Sequence, residues 1–237
     1  MVARLYLVRH GESERQGSYC GRRCDPGLSP AGRAQAVLLA DAFRAEAPAG
    51  IWCSSLLRAR STAEEIARHH DLELSTDPDL DEMDFGDWDG LTHDEISSRW
   101  QSAYSAWLSQ PLSRRPPDGE SVPEVLERSW SAFASIRDTV RGDRVEGGGA
   151  GKPQEDRRSA KHSAFRGGAT SRSAVIVTHG GPIRLLLATV LQMPRSEYWR
   201  FTVNTASITV VDCFDGDAAV LVYSNRDAQS GLPGSRM

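Results

Sequence analysis

Two stretches of one design, LYLVRHGES at residues 5–13 and AVIVTHGGP at residues 174–182, restrict what this chain can fold into more than any other feature. Each is an unbroken apolar run that halts at one polar residue, Arg9 or Thr178, followed by histidine and glycine. A strand with one face in water alternates apolar and polar residues. AVIV offers no polar face, so it belongs between two covering layers, as the strands of parallel sheets do. Apolar, β-branched runs predict strands at 3–8, 50–53, 173–178, 206–213 and 218–223. Helical periodicity fills the intervals between the earlier ones. Ser29 followed by Pro30 is a cap and first-turn proline for a helix to about residue 46. Leu56, Ala59, Ala63 and Ile66 form one stripe after Ser54 and Ser55, and Ile183, Leu186, Leu187, Val190 and Leu191 form another after Pro182. The pattern is α/β with a mainly parallel sheet.

The 237 residues suit one domain spanning 1–237. A formal net charge of -4 gives no global field toward nucleic acid or anionic membrane, so any anion binding must be local. No apolar window approaches a membrane span, and the apolar stretch before Arg9 is too short for a secretory core. The expectation is a cytoplasmic protein. Cys20, Cys24, Cys53 and Cys213 are expected as free thiols, with Cys20 and Cys24 as half of a metal site the alternative. Residues 142–172 are rich in Gly, Arg and charge and nearly free of aliphatic side chains, which predicts a flexible insertion between a helix and the next strand.

In an open parallel sheet, ligands bind beyond the carboxyl ends of the strands. Arg9 with His10, Arg58 and His179 all fall at such positions. Arg58 lies in a first helical turn, where the macrodipole disfavours a cation by up to ~1 kcal/mol unless an anion sits there. Gly11, Gly180 and Gly181 remove side chains where a backbone would approach that anion. His69, His70, His93 and His162 lack this strand-end context and read as structural or exposed. The acidic loop PDLDEMDFGDWDG, residues 78–90, fails as a calcium loop. With Gly90 at the sixth position, Phe85 and Ile96 stand where carboxylates are required. It can instead deliver a general acid and base, and Asp79, Asp81, Glu82, Asp84, Asp87 and Asp89 are all candidates by position.

RHGES, SSLLRARSTAEEI, LDEMDFGDWDG, PDGES and VTHGGPIR occur in the order and approximate spacing of the histidine phosphatase superfamily, also called phosphoglycerate mutase-like, which this chain resembles over residues 4–141 and 173 to about 211. The resemblance implies a three-layer α/β sandwich. It implies that His10 becomes phosphohistidine, Arg9 and Arg58 clamp phosphate, Glu82 is the acid-base carboxylate and His179 contacts the transferring group. Gln16, where members often carry Asn, Gly21 and Gly180 would border the phosphate. The implied activity is phosphomonoester hydrolysis without a cofactor or metal, guanidinium forks taking the part of a cation. The acid loop and PDGES resemble the phosphatase branch, with α-ribazole phosphatases and broad-specificity phosphatases most alike. Mutase-type phosphoryl transfer and a non-catalytic phosphate-binding module are the alternatives. The expected partner is a small phosphate ester, with no nucleic acid or membrane, and the expected assembly is a homodimer. Trp88, Trp100, Tyr104 and Trp107 either line a pocket for a base-like substrate or pack a helical cap.

Overall fold

The computed structural model describes residues 2–142, 171–215, 218–230 and 232. The expected insertion at 142–172 lies outside them apart from its ends. Gly142 caps a helix in the left-handed conformation, and Ser171 and Arg172 already belong to a strand.

The first strand, β1 (Val2–Arg9), lies at the middle of a six-stranded sheet with β2 (Ile51–Cys53), β3 (Leu74–Thr76), β4 (Ser171–Thr178), β5 (Ser207–Cys213) and β6 (Ala219–Asp227), in the order β3-β2-β4-β1-β5-β6. The four strands β3, β2, β4 and β1 run parallel, and β5 and β6 are antiparallel additions at one edge. β3 was not expected. Its three residues are half-buried or exposed, too short a run for a periodic signal.

The two faces of the sheet are covered as AVIV requires. Leu5 and Leu7 of β1 with Ala174 and Ile176 of β4 pack against α4 (Val122–Arg141) and α5 (Gly180–Val190), chiefly through Phe133, Ile136, Ile183 and Leu186. Their neighbours Tyr6, Val8, Val175 and Val177 point the other way, onto Leu39 and Phe43 of α1 (Pro30–Phe43) and Ala59, Ala63 and Ile66 of α2 (Leu57–Ala67). This period of two, buried on both sides, makes the three-layer sandwich. Each fully buried Leu, Val or Phe contributes roughly 1.5–3 kcal/mol.

A third cluster lies over the carboxyl end of the sheet, where α3 (His93–Ser109) packs Ile96, Tyr104 and Trp107 with Met83, Trp88, Val122, Val125 and Leu126. Trp88, Tyr104 and Trp107 are buried, Trp88 meeting the other two edge-on and those two stacking face to face, so they pack the cap; Trp100 is partly buried beside them. His93 bonds the Tyr104 hydroxyl at 2.8 Å, a structural use, and His162 lies outside the described residues.

α1 starts as expected, with the Ser29 hydroxyl accepting from Gly32 N and Pro30 in the first turn. α5 starts two residues before Pro182, because the proline's missing N–H costs nothing in a first turn. Among the described residues no helix is long and apolar enough to cross a membrane.

Candidate active site

Register brings the two strand ends together. β1 and β4 pair in parallel with Arg9 level with Thr178, and His10 N donates to Thr178 O at 3.0 Å. His10 and His179, each the next residue, therefore stand side by side with ring centroids 4.9 Å apart. Ser54, just past β2, joins the same edge through its N–H to Val177 O at 3.0 Å.

Both imidazoles are buried, and their tautomers follow from their partners. His10 Nδ1 is 2.6 Å from Gly11 O, which only accepts, so Nδ1 carries the proton and Nε2 keeps a lone pair. Burial, then the charges of Arg58 and Arg9, hold His10 well below its ordinary pKa. His179 Nε2 is 2.7 Å from Ser54 Oγ, and Ser54 Oγ–H donates to Asp81 Oδ1 at 2.7 Å. With the hydroxyl proton committed to Asp81, the ring must donate from Nε2. Its Nδ1 is buried without a partner. Burial, Arg58, His10 and Arg9 push the His179 pKa well down as well.

The guanidiniums are fixed by backbone carbonyls. Arg58, only 1% exposed, donates to Cys24 O at 3.1 Å, Cys20 O at 3.0 Å and Gly21 O at 3.2 Å. The loop carrying those carbonyls is closed by a disulfide between Cys20 and Cys24, which corrects the expectation of four free thiols; only Cys53 and Cys213 are free. Cys20, Cys24 and Asp89 do come within 4.8 Å of one another. The two sulfurs, however, are spent on each other, and the Asp89 carboxylate accepts Gly21 N at 2.9 Å and Arg23 N at 3.0 Å. Asp25, four residues after Gly21 in the sequence, accepts Leu57 N at 2.7 Å and so caps α2, 3.7 Å from Arg58. Arg9 donates Nη1 to Val203 O at 2.6 Å and leaves its buried Nε without an acceptor. A buried guanidinium N–H and a buried imidazole nitrogen, both unpartnered, are costly unless a ligand completes them.

Of the acid-loop candidates, Asp81 is taken up by Ser54 and both the amide and hydroxyl of Ser55. Asp84 is bonded by Gly86 N and Arg23, and Asp79 and Asp87 are exposed. Glu82 alone reaches the amino end of α5, where its Oε2 accepts Gly181 N at 3.2 Å. Its backbone is pinned by Arg128 of α4, which donates to the carbonyls of Asp79, Asp81 and Glu82 and pairs with Glu120 at 2.9 Å. Glu120 belongs to PDGES and also accepts Asp84 N, so that motif and Arg128 act as the brace of the acid loop.

Gly21 is buried in the Arg58 loop, and a Cβ there would lie 2.1 Å from Met83 O. Gly180 opens α5 beside Arg9. Gln16 sits exposed on a turn, and no hydrogen bond joins it to the Arg9, His10 and Arg58 set.

Neutral imidazoles set among buried guanidiniums, at the carboxyl edge of a parallel sheet, are the equipment of a phosphoryl-group enzyme. Comparison with known proteins gives the particular family. The sequence pattern described as the histidine phosphatase superfamily (branch 1) matches residues 5–146 and 155–226, and this chain belongs to that superfamily. It is 31% identical over 225 residues to the adenosylcobalamin/alpha-ribazole phosphatase of Salmonella typhimurium, covering 94% of this chain and 96% of that protein. The glucosyl-3-phosphoglycerate phosphatase of Mycobacterium tuberculosis is 33% identical over 192 residues, 81% of this chain and 76% of that protein. The native structure of a mycobacterial glucosyl-3-phosphoglycerate phosphatase superposes with a TM-score of 0.74 at 30% identity, covering 95% of this chain and 99% of that one. The relatives are phosphatases, and this chain is an enzyme of their kind.

Proposed function

We propose that the protein hydrolyses small phosphomonoesters through a phosphohistidine on His10, without a metal. What carries this reading is the His10 ring, neutral and with its Nδ1 proton committed to Gly11 O, which leaves a lone pair on Nε2. The substrate phosphoryl group accepts from Arg9 Nε, which otherwise lacks an acceptor, and lies against Arg58 and the His179 ring. Nε2 attacks phosphorus as the ester oxygen leaves with a proton from Glu82. Glu82, now a carboxylate, takes a proton from water as that water attacks the phosphohistidine, releasing phosphate and restoring His10. Charge on the transferring group is met by guanidinium forks. α-Ribazole 5′-phosphate is the first compound to assay, on the strength of the Salmonella relative's name.

The test is phosphate release from a panel of phosphomonoesters, run beside 3-phosphoglycerate with detection of its 2-isomer and repeated in a chelator. Hydrolysis that a chelator leaves unchanged and that His10→Ala abolishes, together with an acid-labile phosphoenzyme trapped at His10, is the expected result. Isomerisation without hydrolysis, activity restored by an added divalent ion after chelation, or full turnover by His10→Ala would overturn the proposal.

A further inference from the structure

Arg184 has no role in the chemistry above, yet it converges on the same site. It lies four residues after Gly180 on α5, on the same face, and helical side chains lean toward the amino end. A Cβ built on Gly180 would lie 3.2 Å from Arg184 Nη1 and 3.7 Å from both Nε and Cζ of Arg9. Two guanidiniums thus meet over a residue with no side chain. One short segment holds both, Phe201 O accepting Arg184 Nε at 2.8 Å and Val203 O accepting Arg9 Nη1 at 2.6 Å. Among the described residues, neither arginine has a carboxylate in ion-pair contact. Burial, with Arg184 and Arg58 adding like charge and Glu82 opposing them, pulls Arg9 below its ordinary pKa. The positive end of α5 adds to the same potential. Paired cations held by backbone carbonyls, with no carboxylate in ion-pair contact, are a site prepared for anions.

Arg9 is accounted for by the phosphoryl group, and Arg184 is left over. With its Nε committed to Phe201 O, Arg184 presents its terminal Nη1 and Nη2 edge, two N–H groups spaced for a two-oxygen acceptor. We propose that Arg184 is a specificity-determining residue that binds a carboxylate on the leaving group, so that the preferred substrates are small phosphomonoesters bearing a carboxylate near the phosphorylated carbon. The proposal rests on the phosphatase reading of the site, and its test must separate the two.

Two ligands differing in one group serve: 3-phosphoglycerate, and glycerol 3-phosphate with a hydroxymethyl in place of the carboxylate. Calorimetric titration into the His10→Ala protein measures binding without turnover. The expected result is 10- to 100-fold tighter binding of 3-phosphoglycerate, the scale of a charge-assisted bidentate contact. Arg184→Gln should shrink that preference to below about 3-fold, and Arg184→Lys, which keeps the charge and loses the fork, should retain part of it. With His10 intact, the ratio of kcat/KM for the two compounds should fall in parallel. Equal binding of the two ligands with Arg184 present overturns the proposal before any arginine variant is made. So does a preference that survives Arg184→Gln, or an equal loss for both ligands, which would assign Arg184 to the transferred phosphoryl group. An Arg184-dependent binding preference in a protein whose His10 form releases no phosphate would uphold the subsite and sink the phosphatase reading.

Discussion

Gly181→Ala isolates the proton-transfer role proposed for Glu82 without touching Glu82. A Cβ on residue 181 would lie 2.2 Å from Glu82 Oε1 and 3.2 Å from its Cδ. Ordinary contact begins near 3.4 Å, so the carboxyl must withdraw by at least 1.2 Å and surrender its bond from the residue 181 amide. A displacement of about 1 Å costs on the order of 10²-fold in rate, and the ceiling is the roughly 10²- to 10⁴-fold that a general acid contributes. The expected loss in the first turnover of glycerol 3-phosphate, whose alkoxide leaves badly, is therefore about 10²-fold. With p-nitrophenyl phosphate the phenolate leaves unprotonated, and formation of the phosphoenzyme should slow by less than about 5-fold. Residue 181 is in a regular helical turn, where Ala is favoured over Gly by roughly 0.5–1 kcal/mol, so the melting temperature should not fall. Rapid-quench measurement of the first turnover with both substrates decides the matter. Equal losses for the two leaving groups, or no loss with the alkyl ester, would mean that the carboxyl at this helix end is not the acid.

Because His10 and His179 are held well below their ordinary pKa, the unfolded chain binds protons that the folded one refuses as pH falls below about 6.5. Stability in the absence of ligand should be full above that pH and decline below it, with a limiting slope of about 1.4 kcal/mol per pH unit for each histidine. Denaturant titrations from pH 7.5 to 5 on the protein and on His10→Ala check this, and an identical slope in the variant would refute the His10 share. Vanadate, which forms trigonal-bipyramidal adducts resembling the transferring phosphoryl group, should inhibit competitively and raise the melting temperature; indifference in both would count against the site. Replacing Cys20 and Cys24 by Ser, or reducing their bridge with a dithiol, frees the loop whose three carbonyls hold Arg58. KM for phosphomonoesters should rise about 3- to 10-fold while the melting temperature changes little, and an unchanged KM would show that the loop holds its shape unaided.

The parts of the site legible in the sequence were those that one local signal announces. His10 and His179 follow apolar runs, and Arg58 opens a helix where a cation is out of place. The missing parts are held by contacts far apart in sequence. Arg128 reads as a solvated charge on an amphipathic helix, yet it binds three carbonyls nearly 50 residues earlier, and nothing in α4 alone signals that. Ser54, Asp81 and His179 become a relay only after β2, the acid loop and β4 have met at one edge. The aromatic residues of the cap were ambiguous because a buried Trp looks the same in sequence whether it faces a ligand or a core, and burial in the third cluster gives Trp88, Tyr104 and Trp107 to the core. Four cysteines are few for 237 residues and suggest free thiols, whereas the five-residue loop from Cys20 to Cys24 carries a bridge.

The register of β1 on β4 shows most plainly what a pattern can and cannot fix. Where one face of a strand is wet, a slip of one residue turns the apolar side outward, and the pattern itself forbids it. Here both faces are dry, and Leu5, Tyr6, Leu7 and Val8 would bury about as well one step along. The ends of the runs do the discriminating. Val8 lies level with Val177 and Arg9 with Thr178, so the change from apolar to polar falls at one height in both strands. A slip in one direction would draw the Arg9 guanidinium toward the core layer, away from Val203 O, at a cost far larger than any gain in packing. A slip in the other would expose Val177 and part His10 N from Thr178 O. The same polar boundary that makes the site therefore sets the register that assembles it, and the two imidazoles meet because both strands stop being hydrophobic at the same level.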